Sequence, residues 1–454
     1  MTKQEFRYRK RNFLHFDLPL DLTQAWNVAS KPQKVAKHPF YPLLGFSVKT
    51  TRFLRRDGKK VQEEKVRDIK ICSHSDTAIY SYYGQILSQN YERQLEHFGL
   101  QRSVTAFRSV KDAGSNIDHA AEVFDYIENN RPCVALVFDI KKFFDRLDHQ
   151  LLKCVWAENI KASRLPEDHF KIFKSLTNFC WVDKSTVYQN LMISESNERY
   201  LATGGKRKRL CSAVEFREKI RGGGILQFNP ELKAGRGIPQ GSPMSAVLSN
   251  MYLLHFDREL TSLADNVGGL YRRYCDDIIF VVPENLKEQI MQAVSGEAGR
   301  VKMDLHPEKT HSVRFPIGKG NIADGVLQYL GFTFDGNRVL LRLSSIDRYY
   351  SKMRAGVSLA RQTQRKANRK ECKLKLPLSR LRRKQIYIRY SYLYSRRRPA
   401  DSSRTAKTKG NFLTYVYRSA AKLKSPHIKA QMRAHWRKLQ EEIEKPIKGQ
   451  LCYD

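Results

Sequence analysis

An α+β fold is predicted by three observations. An unbroken apolar run, Val134-Ala135-Leu136-Val137-Phe138, ends abruptly at Asp139, as a buried strand does when it delivers a carboxylate to a site at its end. Two more strand-like runs, residues 269–273 and 278–282, flank a tight turn at Tyr274-Cys275-Asp276-Asp277. Between these features, Met244, Val247, Leu248, Met251 and Leu254 keep the spacing of one helix face.

The remaining elements follow in chain order. Residues 1–45 are broken by Pro32, Pro39 and Pro42 and read as an N-terminal extension without clear periodicity. Asp57-Gly58, inside the basic stretch 55–60, predicts a hairpin turn. Lys65 and Arg67 alternate on the strand that follows, so their side chains share a face. Residues 195–224 are polar and basic, end in Gly222-Gly223-Gly224, and read as an insertion loop. Gly237-Ile238-Pro239-Gln240-Gly241-Ser242-Pro243 leads into the helix, with Ser242 suited to the N-cap and Pro243 to the first helical position. A second loop is expected at 398–410.

Adjacent carboxylates at a turn between apolar strands are costly to hold together. Like charges a few ångströms apart repel, and one group takes up a proton unless a cation neutralises them. A divalent metal does so, and two oxygen-ligated Mg²⁺ ions are what an in-line phosphoryl displacement uses. An isolated Asp-Asp pair would be read as an ordinary polar turn. Here it shares the chain with the Asp139 strand, the Pro-Gln-Gly turn, Leu305-His306-Pro307-Glu308-Lys309-Thr310 and Leu327-Gln328-Tyr329-Leu330-Gly331-Phe332.

In that order and spacing, these segments resemble the palm of reverse transcriptases. Lys65–Ile71 is similar to the fingers strand of the bacterial enzymes, and Ser103-Val104-Thr105-Ala106-Phe107-Arg108 to the segment after it. The resemblance covers roughly residues 50–340 and implies a right-hand polymerase: fingers and a palm with an antiparallel sheet, then a helical thumb. The implied divisions are fingers at 46–130, palm at 131–340 with the 195–224 insertion, and a basic helical thumb or RNA-binding extension at 341–454. It also implies roles. Asp139 and Asp276 would bind both metals, with Asp277 and the Ile140 carbonyl as further oxygens. Phe144 would exclude a ribose 2′-hydroxyl, unless it is core like its neighbour Phe143. Gln240 and Gly241 would floor the nascent base pair, and Lys65 and Arg67 would hold the triphosphate. Lys309 would act on the leaving pyrophosphate, unless it is only a solvated surface lysine. The implied activity is RNA-directed DNA synthesis from deoxynucleoside triphosphates.

Within the bacterial enzymes, the segments 105–108, 328–332 and 349–353 are most similar to the defence-associated group. The compact architecture and the Tyr-Cys-Asp-Asp turn resemble its type 2 systems most, with type 9 next. That likeness implies a structured non-coding RNA as template and scaffold, a cDNA product and protection against phage. Group II intron and retron enzymes are alternative relatives. A maturase-like RNA-binding protein with vestigial polymerase activity is the competing class; the intact Asp139, Asp276, Asp277, Phe144 and Lys309 argue against it.

Composition points to a polyanionic partner. The chain has 454 residues with 82 Lys and Arg against 46 Asp and Glu, a formal charge of +36. Residues 341–454 hold 31 basic and 7 acidic residues, a net of +24, so the last quarter carries two-thirds of the excess. Arg396-Arg397-Arg398 are the candidate RNA contacts there. Tyr387, Tyr390 and Tyr394, which fit one helix face, suit base stacking and packing equally. Cysteines at 72, 133, 154, 180, 211, 275, 372 and 452 form no Cys-x-x-Cys pair, which fits a reduced bacterial cytoplasm. No apolar run reaches membrane-spanning length. Oligomeric state is not legible.

Overall fold

The computed structural model of the chain describes residues 1–56, 59–110, 113–194, 208–374, 380–392 and 410–445, with backbone alone for those within 51–63. The chain divides into two compact units, Met1–Ala113 with Leu136–Ser312 and Gly114–Ala135 with Val313–Asp454. Antiparallel sheets and many helices make up the α+β fold that the sequence predicts.

In the first unit, β1 (Leu43–Arg56) and β2 (Lys59–Ile71) form a long antiparallel ribbon, paired from Leu44↔Ile71 to Arg56↔Lys59. The predicted turn pair Asp57-Gly58 lies outside the described residues. The strands that follow are β3 (Cys133–Asp139), β4 (Cys180–Asp183), β5 (Gln227–Phe228), β6 (Leu270–Tyr274), β7 (Asp277–Val282) and β8 (His311–Phe315). One sheet has the order β2-β1-β4-β5 and another β6-β7-β3-β8. The division between units falls inside β3 and inside β8. Residues 133–138 of β3 are all buried, as an unbroken apolar run requires.

Met244, Val247, Leu248, Met251 and Leu254 are all buried. The helix starts later than predicted and ends sooner: it spans Ser245–Tyr252 with Met244 at the N-cap, and Leu254 falls in the next helix. Ser242 opens a separate turn first. Its hydroxyl accepts the Met244 amide at 3.2 Å and its carbonyl the Ser245 amide at 3.2 Å, and Pro243 sits inside that turn. A second helix, Leu254–Asn266, follows directly.

The N-terminal 45 residues are more ordered than their composition promises. Asp21 and Gln24 form a capping box on the helix Leu22–Ala29, and Pro32 opens a short helix, Pro32–Ala36. The insertion-loop reading of 195–224 needs correction. Residues 195–207 lie outside the described set, but 213–221 are helical, as Ala213–Glu215 and the wider-turned Phe216–Arg221. Leu210, Cys211 and Ile220 are buried in one cluster with Leu14, Phe16, Leu44 and Val182. A few apolar residues inside a polar stretch are enough to bind it to the core.

The second unit carries β9 (Leu327–Tyr329), β10 (Phe332–Phe334) and β11 (Val339–Leu341) as an antiparallel meander. Its helices include Asn116–Asn129 and the 31-residue Leu343–Lys373, whose first half buries Ile346, Tyr349, Tyr350, Met353 and Val357 at helical spacing. Arg383–Tyr390, Phe412–Lys422, Pro426–Ala430 and His435–Glu444 follow among the described residues. Tyr387 stacks on Trp436 with ring centroids 5.7 Å apart, and the Tyr390 hydroxyl donates to the Lys352 carbonyl at 3.0 Å. Both therefore pack within this unit. Tyr394, Arg396, Arg397, Arg398 and nearly all of the 398–410 loop lie outside the described residues. Among the described residues, no helix is long and apolar enough to cross a membrane.

Candidate active site

β3 ends at Asp139, and the chain then runs beside two other segments. The Asp139 carbonyl accepts the His306 amide at 2.8 Å, the Lys141 amide donates to the Asp304 carbonyl at 2.8 Å, and Ile140 bridges Leu305 in antiparallel fashion. Ile140 is buried, and its own amide donates to the Asp276 carbonyl at 3.2 Å. Three stretches that are far apart in sequence thus meet around one carboxyl.

Lys309 completes the meeting. Pro307–Lys309 forms a single tight turn, and from it the Lys309 ammonium reaches Asp139 Oδ2 at 2.6 Å. The Asp139 side chain is 14% exposed and that of Lys309 47%, so the pair sits at an opening and is not sealed in the core. Lys309 is thus an exposed lysine whose ammonium is paired with the Asp139 carboxylate.

β6 and β7 are joined by two residues, Cys275 and Asp276, with Tyr274 facing Asp277. Cys275 has φ 61°, in the left-handed region that residues with a Cβ disfavour. Asp276 and Asp277 are both half-buried. Burial, followed by the neighbouring Asp276, pushes the Cys275 thiol up, and burial raises the Tyr274 phenol.

The next group lies just beyond β3. Phe143 is buried and Phe144 half-buried, with ring centroids 5.6 Å apart. The Phe144 carbonyl accepts the Ile238 amide at 2.9 Å, which ties this short helix, Phe143–Arg146, to the Pro-Gln-Gly segment. The Gln240 carbonyl in turn accepts the Lys70 amide of β2 at 2.8 Å. Gly241 has φ 120°, and a Cβ there would stand 2.7 Å from the Lys70 carbonyl, so only glycine allows this approach. Arg67 and Lys65 lie farther out on the ribbon, about 10 and 17 Å along the strand from Lys70 at the usual rise.

The donor set suits a hard divalent cation: carboxylate and carbonyl oxygens, with no imidazole and no committed thiolate. The backbone brings Asp139 and the Asp276 turn together, and Lys309 supplies positive charge at the Asp139 carboxyl. Among the described residues, no three acidic, His or Cys side chains converge as a closed metal-holding group. The Ile140 amide, not its carbonyl, is the group committed to the turn.

Two residues escaped the sequence reading. Lys70 lies on the ribbon strand β2, its ammonium 5.0 Å from the Trp181 ring centre and 5.6 Å from that of Phe179, and burial lowers its pKa. In the sequence Arg273 is only one residue of a strand, yet it is fully buried. The available signal was alternation: Tyr271 and Arg273 share one face of β6, and both reach Asp257.

Residues 58–334, more than half of the chain, match the reverse transcriptase (RNA-dependent DNA polymerase) family. Over 108 residues the chain is 31% identical to the retron Mx162 reverse transcriptase of Myxococcus xanthus, covering 20% of this chain and 21% of that one. The match thus spans about a fifth of that relative's length. Among solved structures, apo telomerase from Candida tropicalis aligns with a TM-score of 0.39 and 14% identity, over 69% of this chain and 52% of that one. Telomerase from Candida albicans, in complex with a fragment of telomeric RNA, aligns with a TM-score of 0.35 and 13% identity, over 76% and 58%. On the span of the family match and the ordered set of segments within it, this chain belongs to the reverse transcriptase family.

Proposed function

We propose that this chain is an RNA-directed DNA polymerase that copies an associated structured non-coding RNA into cDNA in the bacterial cytoplasm, in defence against phage. The observation that carries the chemistry is the junction of Asp139, the Asp276 turn and Lys309, built by the Ile140–Asp276 and Lys309–Asp139 contacts. Bound Mg²⁺, two ions in this reading, would lower the pKa of the primer 3′-hydroxyl and neutralise charge on the transferring phosphate. Asp139, Asp276 and Asp277 would hold that charge in place. Lys309, within reach of Asp139, would pass to the pyrophosphate side and offset or protonate the leaving group. Phe144, half-buried beside the Pro-Gln-Gly segment, would stand against a ribose 2′-hydroxyl. Gln240 and Gly241 would shape the floor of the nascent pair, and Lys65 and Arg67 on the ribbon would close over the triphosphate. In this scheme residues 46–130 act as fingers, 131–340 as palm and 341–454 as thumb and RNA grip.

The defence role and the template rest on the likeness to the type 2 defence-associated enzymes, and a retron enzyme as relative fits bacterial copying of a structured RNA. The test is to sequence the nucleic acid that co-purifies with the protein and to assay extension with labelled deoxynucleotides. A single structured RNA with complementary DNA would support the reading. Bound RNA without DNA, and no extension of any primer, would favour a maturase-like binder. Asp276→Ala with Asp277→Ala should keep the fold and RNA binding while abolishing synthesis. Metal clamping is worth several kcal/mol, and each factor of ten in rate is about 1.4 kcal/mol. Synthesis within about tenfold of wild type in that variant would sink the assignment.

A further inference from the structure

The turn that presents Asp276 and Asp277 has a backbone its own residues disfavour. In a two-residue hairpin connection, a positive φ at the first central position calls for glycine. Cysteine stands there instead, at φ 61°. Something outside the turn must hold it, and two hydrogen bonds do. The Asp276 carbonyl accepts from the Ile140 amide, and the Cys275 carbonyl accepts from Arg273 Nη1 at 3.0 Å.

Arg273 is braced on every side. Its Nε donates to Asp257 Oδ1 at 2.7 Å and its Nη2 to Asp257 Oδ2 at 2.6 Å, with both side chains 0% exposed. Nη1 also donates to Asn250 Oδ1 at 3.1 Å. Asp257 and Asn250 come from the two helices that follow the Pro-Gln-Gly segment. The Arg273 amide donates to the Ser103 carbonyl at 2.8 Å, and its carbonyl accepts from the Thr105 amide at 3.0 Å and hydroxyl at 2.9 Å. Stability does not account for such a network. Desolvating a buried pair offsets most of its attraction, and apolar residues of similar volume pack as well. What only a planar guanidinium does is grip a carboxylate along one edge and a carbonyl from the other.

We infer that Arg273 is a positioning residue for the carboxylate turn: held by Asp257 and Asn250, it fixes the Cys275 carbonyl and thereby the direction in which Asp276 presents its carboxylate. The inference rests on the reading of Asp276 as a group that acts on the reacting phosphate. Arg273 itself touches no substrate, so its loss should slow bond formation without emptying the nucleotide site.

The experiment is single-nucleotide extension under single-turnover conditions in Mg²⁺, with full-length wild type, Arg273→Lys, the double variant Arg273→Leu/Asp257→Leu, and Leu260→Ala. Leu260 is a buried residue of the Asp257 helix and serves as a destabilised reference. Arg273→Lys should lower the maximal rate about tenfold or more while the half-saturating nucleotide concentration stays within about threefold. Leu260→Ala, compared at a temperature below both unfolding midpoints, should keep its rate. A second readout needs no synthesis: binding of Mn²⁺, followed by the signal of the free ion, should weaken in Arg273→Lys and not in Leu260→Ala. Equal losses in Arg273→Lys and Leu260→Ala would overturn the inference, as would a wild-type rate in a folded double variant. A folded but slow double variant would uphold it. Absence of extension by wild type would sink the polymerase reading instead, and the Mn²⁺ comparison would then decide the role of Arg273 alone.

Discussion

Phe143 and Phe144 are neighbours in sequence with different surroundings, and the difference separates two kinds of loss. Phe143 is 4% exposed. Its replacement by alanine should cost about 3–5 kcal/mol of stability, as large-to-small core changes do. Phe144→Ala should cost well under half of that, and should raise ribonucleotide incorporation relative to deoxynucleotide. Thermal melts and competition between the two sugars check both, and unchanged selectivity in Phe144→Ala would remove it from the sugar gate. The carboxylates and Lys309 were legible as residues because each breaks a pattern: an acid at the end of an apolar run, acids at a hairpin, a lysine in a short turn. Arg273 was not legible. An arginine in a strand reads as a solvated face, and only the fold shows that Asp257 and Asn250 enclose it.

At the scale of elements, the strands declared themselves through apolar runs and the helix after the Pro-Gln-Gly segment through its period. What misled was local chemistry. A serine–proline pair looks like a helix start, yet here it makes one turn before the ladder begins. The N-terminal extension was illegible because its short helices are fixed by caps and by distant partners. His15 is one such anchor. It is fully buried, accepts the Phe16 amide on Nδ1 at 2.9 Å, and places Nε2 3.3 Å from the Ile71 carbonyl. That arrangement suits the neutral ring. Burial pulls His15 from 6.5 down to about 4, against the opposing pull of Asp17. Between those two values the unfolded chain binds the proton and the folded chain does not, so stability falls as pH drops through this window and levels off below it. The full loss is roughly 3 kcal/mol. Urea midpoints at pH 7 and pH 5 should therefore differ less for His15→Gln than for wild type. Equal differences would mean that His15 is not the group responsible.

For the molecule as a whole, charge was the most legible property and its placement the least. The +24 over residues 341–454 is visible in composition. The tyrosines Tyr387 and Tyr390 that seemed available for stacking on bases are spent on packing, against Trp436 and the Lys352 carbonyl. In the proposed function, any RNA grip of that quarter then falls to its cations. Neutralising Arg396, Arg397 and Arg398 together should weaken RNA binding about equally across sequences. It should also reduce the salt slope by up to ~0.9 per lost duplex contact, or ~0.7 on a single strand. Isotherms from low to moderate salt read this directly. An unchanged slope and affinity would move the grip to the ribbon or to the segment around residues 195–224.

The cysteine inside the carboxylate turn has a consequence for reagents. A thiol attacks electrophiles and oxidants as its thiolate. Cys275 is half-buried and its proton is held firmly by burial and by Asp276, so it offers little thiolate at neutral pH. Cys154 and Cys372 are exposed. Brief iodoacetamide treatment should label those two ahead of Cys275 and leave DNA synthesis intact, as peptide mapping alongside an extension assay would record. The thiol nearest the proposed chemistry is thereby shielded from the oxidants that reach the protein's surface.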